Sequence, residues 1–559
     1  GSGGAVNVPY AVNIYDGMRE SGSFTLNEEL ADIYRAWLKD HPFDNGGGGW
    51  AAEPWHQKEM VITEEIAAAA AEKSEKAIFI IGRTAGEDKD YANEAGSYLL
   101  TPEELENLKV LTAHFEQVAV LLNVSNIIDM SWLKNPVYKD HIRSVLYIWQ
   151  GGMESGNAVA DVLSGKVSPS GKLTDTIACS LADYPAANDF GDTVRNFYTE
   201  DIYVGYRYFE TFAKDRVRFP FGFGMSYTSF DIAASDFKLD GDKVTGSVNV
   251  KNTGSTPGRE VVQIYCSAPQ GKLGKPARVL CGFDKTRALQ PGESQTLSFE
   301  IPLESVASYD DSGVTGHKSA WILEQGGYVF YAGADVRSAS EAYSLTLPET
   351  VVRQCKSALG PLTAFKRMVN SGGKPEFEDV PLTGEAFPHD HAKLPAEIPQ
   401  TGDRGIRLAD VVNGKNTLEE FTAQLTDYDL SCIIRGEGMG SPKVTAGTAA
   451  AFGGVSDTLT ALGIPCACCD DGPSGMRLDC GTKAFSLPNG TLLASTFDRP
   501  LMTELFTFMG LEMHTNQVDC LLGPGMNIHR HPLNGRNFEY FSEDPYLTGE
   551  MASAELAGL

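Results

Sequence analysis

The chain has 559 residues, more than a single hydrophobic core supports, so three or more folding units are expected. Its 42% hydrophobic, 21% charged and 10% aromatic content is that of a folded globular protein and excludes a disordered or collagen-like chain. The net charge of −28 excludes nucleic acid as a natural partner, because phosphate binding needs clustered Lys and Arg, and points instead to a neutral ligand.

No stretch reaches the run of about twenty apolar residues that spans a bilayer, and the first thirty residues hold no basic-plus-apolar signal pattern, so no membrane is expected as a partner. Ten cysteines spread along the chain read as reduced thiols of a cytoplasmic protein. Cys466, Cys468 and Cys469 superficially suggest a metal, but they sit on an extended apolar segment with no second cysteine pair at ligand spacing, which makes them buried strand residues.

From the start to about Pro185, strand and helix signals alternate. Ala77–Ile81, Val118–Val124 and Leu146–Trp149 are apolar runs of strand length, and Thr101-Pro102-Glu103-Glu104 combines a capping box with proline at the first helical position. A helix is predicted from there towards Phe115, and another from about Gly156 to Leu163. Apolar runs separated by helices imply a parallel sheet covered on both faces. From about Asp236 to Pro348 the period changes to two: Val244, Gly246, Val248 and Val250 alternate with polar residues, as do Leu297, Phe299 and Ile301, which predicts a small all-β sandwich.

The stretch 349–404 is rich in Pro, Gly and charge and reads as a linker or an extended wrapping segment. After Gly405 the alternation returns. Predicted strands at Ser431–Ile434, Gly463–Cys469 and Val518–Leu522 each end in a polar, glycine-rich loop, as the strands of a (β/α) barrel do at their C-terminal face. The predicted architecture is multidomain α/β: an α/β sandwich with a connecting segment over 1–235, a fibronectin type III-like β-sandwich over 236–348, a linker over 349–404 and a partial (β/α) TIM-type barrel over 405–559.

The densest chemistry lies in Gly523–Gly549, GPGMNIHRHPLNGRNFEYFSEDPYLTG, which follows a predicted strand and crowds Arg, His, aromatic and acidic residues into one loop. By composition alone it is a solvated surface loop, too polar for a core. This stretch resembles the barrel motif of glycoside hydrolase family 3, and DGPSGMR (471–477) and SLPNGTLLASTFD (486–498) are similar to the segments that precede it in that family. QGGMESGNAVADVLSGKVSPSGKL (150–173), VGYRYFE (204–210) and FPFGFGMSYTSF (219–230) extend the resemblance to nearly the whole chain outside 349–403. Most family members run barrel, sandwich, fibronectin-like domain; here the sandwich and fibronectin-like domain come first, as in a minority of the family.

The resemblance implies a retaining β-glucosidase that hydrolyses terminal non-reducing β-D-glucosyl residues through a covalent glycosyl-enzyme intermediate, with no metal or organic cofactor. Such enzymes need a nucleophile and a proton donor about 5 Å apart. The family motif places the catalytic acid/base at Glu87, after Ala85-Gly86; by local sequence alone Asp88, Asp90 and Glu94 are equal candidates. It also implies sugar binding by Asp471, Arg477 and Arg536, whose carboxylate and forked guanidinium donors suit adjacent hydroxyls; the bland alternative is a salt bridge among them.

Other features are set aside. Gly46–Gly49 lacks a following Gly-Lys-Ser/Thr, so it is no phosphate loop. His389-Asp390-His391 has ligand-type residues without a third partner. Ser235-Asp236-Phe237 imitates the Ser-Asp-Trp around the family nucleophile, yet it opens the β-sandwich. The resemblance implies a Lys-His pair and then the nucleophilic aspartate after the 523–549 motif, and neither Lys-His nor Ser-Asp-Trp occurs anywhere in the sequence, so the expectation is a chain truncated at both ends, its nucleophile and remaining strands supplied by the rest of the same protein. A homo-oligomer is allowed. The alternatives are a β-xylosidase of the same family, differing in whether the pocket admits a C6 hydroxymethyl group, and a non-catalytic sugar-binding fragment of a split enzyme.

Overall fold

The computed structural model describes residues 6–49, 51–138, 140–356, 360–382 and 395–559. In the first region, strands Lys76–Gly82, Gln117–Asn123 and Ile142–Tyr147 form a parallel sheet with Gln117–Asn123 in the middle. Val118, Val120, Leu121 and Leu122 of that central strand are wholly buried, as an apolar run covered on both faces requires. The helix Pro102–His114 begins at Thr101 with the predicted capping box: Thr101 Oγ1 accepts the Glu104 N–H, and Glu104 Oε2 accepts the Thr101 N–H. Glu104 also forks onto the buried Arg83 guanidinium at 2.7 and 2.8 Å, anchoring the loop that leaves the first strand. The third strand lies earlier than predicted, because the backbone turns at Trp149 into the left-handed region (φ 48) and Asn123 Nδ2 caps its carbonyl.

The β-sandwich packs a three-stranded sheet (Phe230–Asp240, Lys243–Asn252, Ser294–Pro302) against a four-stranded one (Val261–Ser267, Val279–Lys285, Gly326–Gly333, Ser340–Leu347). Val244, Val248, Val250, Leu297, Phe299 and Ile301 fill its core, in keeping with the two-residue period. Asp236 stands at a bulge of the first of these strands (φ 58), so Ser235-Asp236-Phe237 is a β-sandwich element.

The segment read as a linker is partly folded. Thr350–Gln354 adds a strand to a small sheet, and Lys366–Ser371 pairs with Lys374–Asp379 as a hairpin around Gly372-Gly373. Arg367 is partnered rather than solvated: it meets Asp201, Asp311 and Glu378, and the Met368 N–H donates to Thr199 O at 2.6 Å. This hairpin straps the first region to the β-sandwich. His389-Asp390-His391 lies outside the described residues.

In the C-terminal region the predicted strand at Ser431–Ile434 is instead the last turns of a helix, Asp427–Arg435. Thr426 and Asp429 form a capping box that nucleates it, and this local signal outweighs a short apolar run. Cys466–Asp471 is the central strand of a three-stranded sheet, parallel to Cys520–Leu522 and antiparallel to Ala450–Gly453. The antiparallel strand departs from an all-parallel barrel. Cys468 and Cys469 are buried, as expected of strand residues, Cys466 at the start of the strand is only partly so, and all ten cysteines are free thiols. Helices Arg499–Thr515 and Pro545–Gly558 pack together behind this sheet, and their core of Phe506, Met509, Leu547 and Met551 runs on into Tyr206, Phe221 and Phe283 of the other two regions.

Candidate active site

The Glu87 loop is held at both ends. Arg83 fixes its start, and Tyr91, stacked on Trp55 with ring centroids 3.7 Å apart, reaches back to the Thr84 carbonyl and the Ser125 hydroxyl. From the opposite side, Asp471 ends the strand Cys466–Asp471, and the tight turn after it presents Arg477 and Asp479. Arg536 comes from the loop after Cys520–Leu522.

These elements enclose a cleft of about 450 Å³, lined by Glu87, Asp471, Arg477, Arg536, Glu539 and Tyr540 among others, a size suited to a small ligand. All four residues singled out from the sequence therefore lie in one cavity. Arg536 Nη2 stands 2.7 Å from Glu87 Oε1, while its Nε donates to Glu539 behind it. Arg477 Nε donates to Asp479 Oδ1 at 2.9 Å and leaves Asp471 Oδ2 3.8 Å from its Nη1. The salt bridge weighed for Asp471 is thus a loose one, and Arg477 is committed mainly to Asp479.

Burial, then the charge of Glu87, raises Asp471 above the usual carboxylate range, with Arg477 and Arg536 opposing. Burial also raises Glu539, against the pull of Arg536. One residue back on the strand, burial pushes Asp470 up to about 7, offset only in part by the Asp471 N–H. Chemically the cleft offers two guanidinium forks and several carboxylates converging on one volume, which suits a ligand rich in hydroxyl groups.

The composition-based expectation of a solvated 523–549 loop is wrong. His529, His531, Asn537, Glu539, Glu543 and Asp544 are each at most 6% exposed, because the loop forms the contact with the sheet region. His529 Nδ1 lies 2.7 Å from Asp175 Oδ1, Arg530 forks onto Glu200, and Glu543 accepts the Thr176 N–H and hydroxyl and the Tyr206 N–H at 2.7–2.8 Å. Paired in this way, polar groups can be buried without an orphan charge. Among the rival acids, Glu94 is exposed, Asp88 takes a left-handed turn (φ 58) and Asp90 Oδ1 accepts the Gly535 N–H. Glu539 and Asp479, which orient the two arginines, are missing from the sequence prediction; their spacings Arg536–Glu539 and Arg477–Asp479 were the available signal.

A cleft of paired carboxylates and guanidiniums, walled by an α/β sheet region on one side and a strand end of the C-terminal region on the other, is the kind of site that binds a polyhydroxylated ligand. The comparisons with known proteins make the class specific. The profile of the glycosyl hydrolase family 3 C-terminal domain matches residues 1–227, that of the fibronectin type III-like domain 260–336, and that of the glycosyl hydrolase family 3 N terminal domain 403–559.

The chain belongs to glycosyl hydrolase family 3, with its C-terminal domain preceding its N-terminal one. It is 57% identical over its whole length to a beta-glucosidase of Ruminococcus albus, covering 58% of that protein, and 38% identical to beta-glucosidase A of Butyrivibrio fibrisolvens, covering 73%. A crystal structure of a beta-glucosidase from Paenibacillus barengoltzii superposes on all of this chain with a TM-score of 0.96 at 55% identity, the chain spanning 62% of that one.

Proposed function

We propose that the protein acts as a retaining β-glucosidase on terminal non-reducing β-D-glucosyl residues, with Glu87 as acid/base and Asp471, Arg477 and Arg536 as sugar ligands. The observation that carries this is the placement of Glu87 Oε1 2.7 Å from Arg536 inside the same cleft as Asp471. The names of the Ruminococcus and Butyrivibrio relatives support glucose over xylose. In the reaction Glu87 protonates the departing glycosidic oxygen as the anomeric carbon is attacked, and later removes a proton from the incoming water. Asp471 accepts from sugar hydroxyls while the arginines, each held from behind by a carboxylate, donate to others.

The nucleophilic carboxylate comes, in this proposal, from further strands that pair with the open edge of Cys520–Leu522, where Leu522 and Met526 are exposed. The ten free thiols support a cytoplasmic setting. Asp471→Asn and Arg536→Ala in the active protein should each lower kcat/KM by on the order of a hundredfold, about 3 kcal/mol of transition-state binding, with the thermal midpoint unchanged. A midpoint that collapses in step with activity would make these residues structural.

A further inference from the structure

The loops that carry Glu87 and Arg536 come from opposite ends of the chain, yet they are joined along their backbones. The Tyr91 N–H donates to Leu533 O at 2.7 Å, the Gly535 N–H donates to Asp90 Oδ1 at 3.0 Å, and Asn126 Nδ2 donates to the carbonyls of Pro532 and Asn534 at 3.1 and 2.7 Å. At the centre of these contacts Gly535 is buried. A Cβ at that position would stand 1.8 Å from Lys89 O and 3.1 Å from Gly86 O. Both are backbone atoms of the Glu87 loop, so no rotamer change could make room, and Gly535 is not in the left-handed region, so the requirement is for space alone.

The two carbonyls that close over Gly535 flank Glu87 in sequence, and Arg536 is the next residue after it. One contact therefore sets both members of the Glu87–Arg536 pair. The loop has little other freedom at this point, since Asp88 is already turned to φ 58.

We propose that Gly535 is the seat of a latch, closed by Asp90, that fixes the Glu87 carboxylate against Arg536 across the domain boundary. Gly535 and Asp90 are positioning residues in this scheme, which rests on Glu87 being the proton donor. A side chain at 535 would push the Glu87 loop off the barrel loop while leaving Asp471 and Arg477, on the far wall, in place. The loss should then fall more heavily on proton delivery than on sugar binding, which Asp471 and Arg477 still support, because small displacements of a catalytic group have large effects on rate.

The test compares Gly535→Ala, Asp90→Ala, Asp90→Asn and Glu87→Gln in the active protein, on an alkyl β-glucoside and on an aryl β-glucoside with a strongly acidic phenol. Gly535→Ala should lower kcat on the alkyl substrate about a hundredfold and Asp90→Ala about tenfold, while the loss of kcat on the aryl substrate should be about tenfold smaller for Gly535→Ala, which also shifts Arg536, and within about threefold of wild type for Asp90→Ala. Asp90→Asn keeps an acceptor oxygen and should restore the alkyl activity. Equal losses on both substrates, or no loss, for Gly535→Ala and Asp90→Ala would overturn the latch while Glu87→Gln still discriminates between the substrates. If Gly535→Ala does not fold, the Asp90→Ala and Asp90→Asn pair decides by the same criterion. A Glu87→Gln variant without leaving-group dependence would remove the proton donor and the latch together.

Discussion

The parallel sheet over 76–147 and the segment 523–549 are both buried, but by opposite means. In the sheet, burial follows from aliphatic side chains alone: Val118, Val120 and Leu122 need no particular partner, only a dry neighbour. In the segment, burial leans on polar partners far away in sequence, as Asp175 is for His529 and Glu200 for Arg530. Apolar burial is a property a sequence displays locally; polar burial belongs to a pair, and neither half announces it.

This difference can be tested by breaking one contact of each kind. The largest stability loss should come from Arg530→Ala, which strands the fully buried Glu200 carboxylate and should cost about 4 kcal/mol in denaturant unfolding. Leu122→Ala in the central strand should follow at about 3 kcal/mol, a cavity without an orphan charge. A replacement of Arg530 that costs less than Leu122→Ala would mean that the interface tolerates water and is not a sealed contact.

A smaller effect should appear in the pH dependence. Asp470 has its folded-state pKa raised to about 7, so the folded chain holds this proton more tightly than the unfolded one. Its contribution to stability is present below the ordinary carboxylate pKa of about 4 and is lost as pH rises to about 7. Asp470→Asn should therefore stabilise the protein at pH 8 by on the order of 2 kcal/mol and have little effect near pH 4, as read from thermal midpoints at the two pH values. The smallest effect should be Thr101→Ala, which removes one side of the capping box of Pro102–His114 and should cost about 1 kcal/mol.

The same contrast explains what was legible in the sequence. The central strand, the capped helix after Thr101 and the two-residue period of the β-sandwich were written in local pattern and stand where predicted, apart from the displaced third strand. The hairpin 366–379 was hidden because its stability comes from Arg367 meeting Asp201 and Asp311, charges that read as solvent-facing. The helix at Asp427–Arg435 reads as a strand in the sequence because the short apolar run Cys432–Ile434 carries less information than the cap at Thr426 upstream of it. Glu87 was singled out by family motif and not by chemistry, since Asp88, Asp90 and Glu94 have the same local character. What separates them is the cleft: Glu87 alone of the four lines it, facing a guanidinium supplied by residue 536.

The most direct test of the central claim, that one cleft built from two domains uses Glu87 to protonate the leaving group, is the leaving-group dependence of Glu87→Gln. On an alkyl β-glucoside the variant should lose at least about a hundredfold in kcat, and on an aryl β-glucoside with a strongly acidic phenol less than about tenfold, because the latter departs without a proton. Equal losses on the two substrates, or full activity on both, would contradict the account.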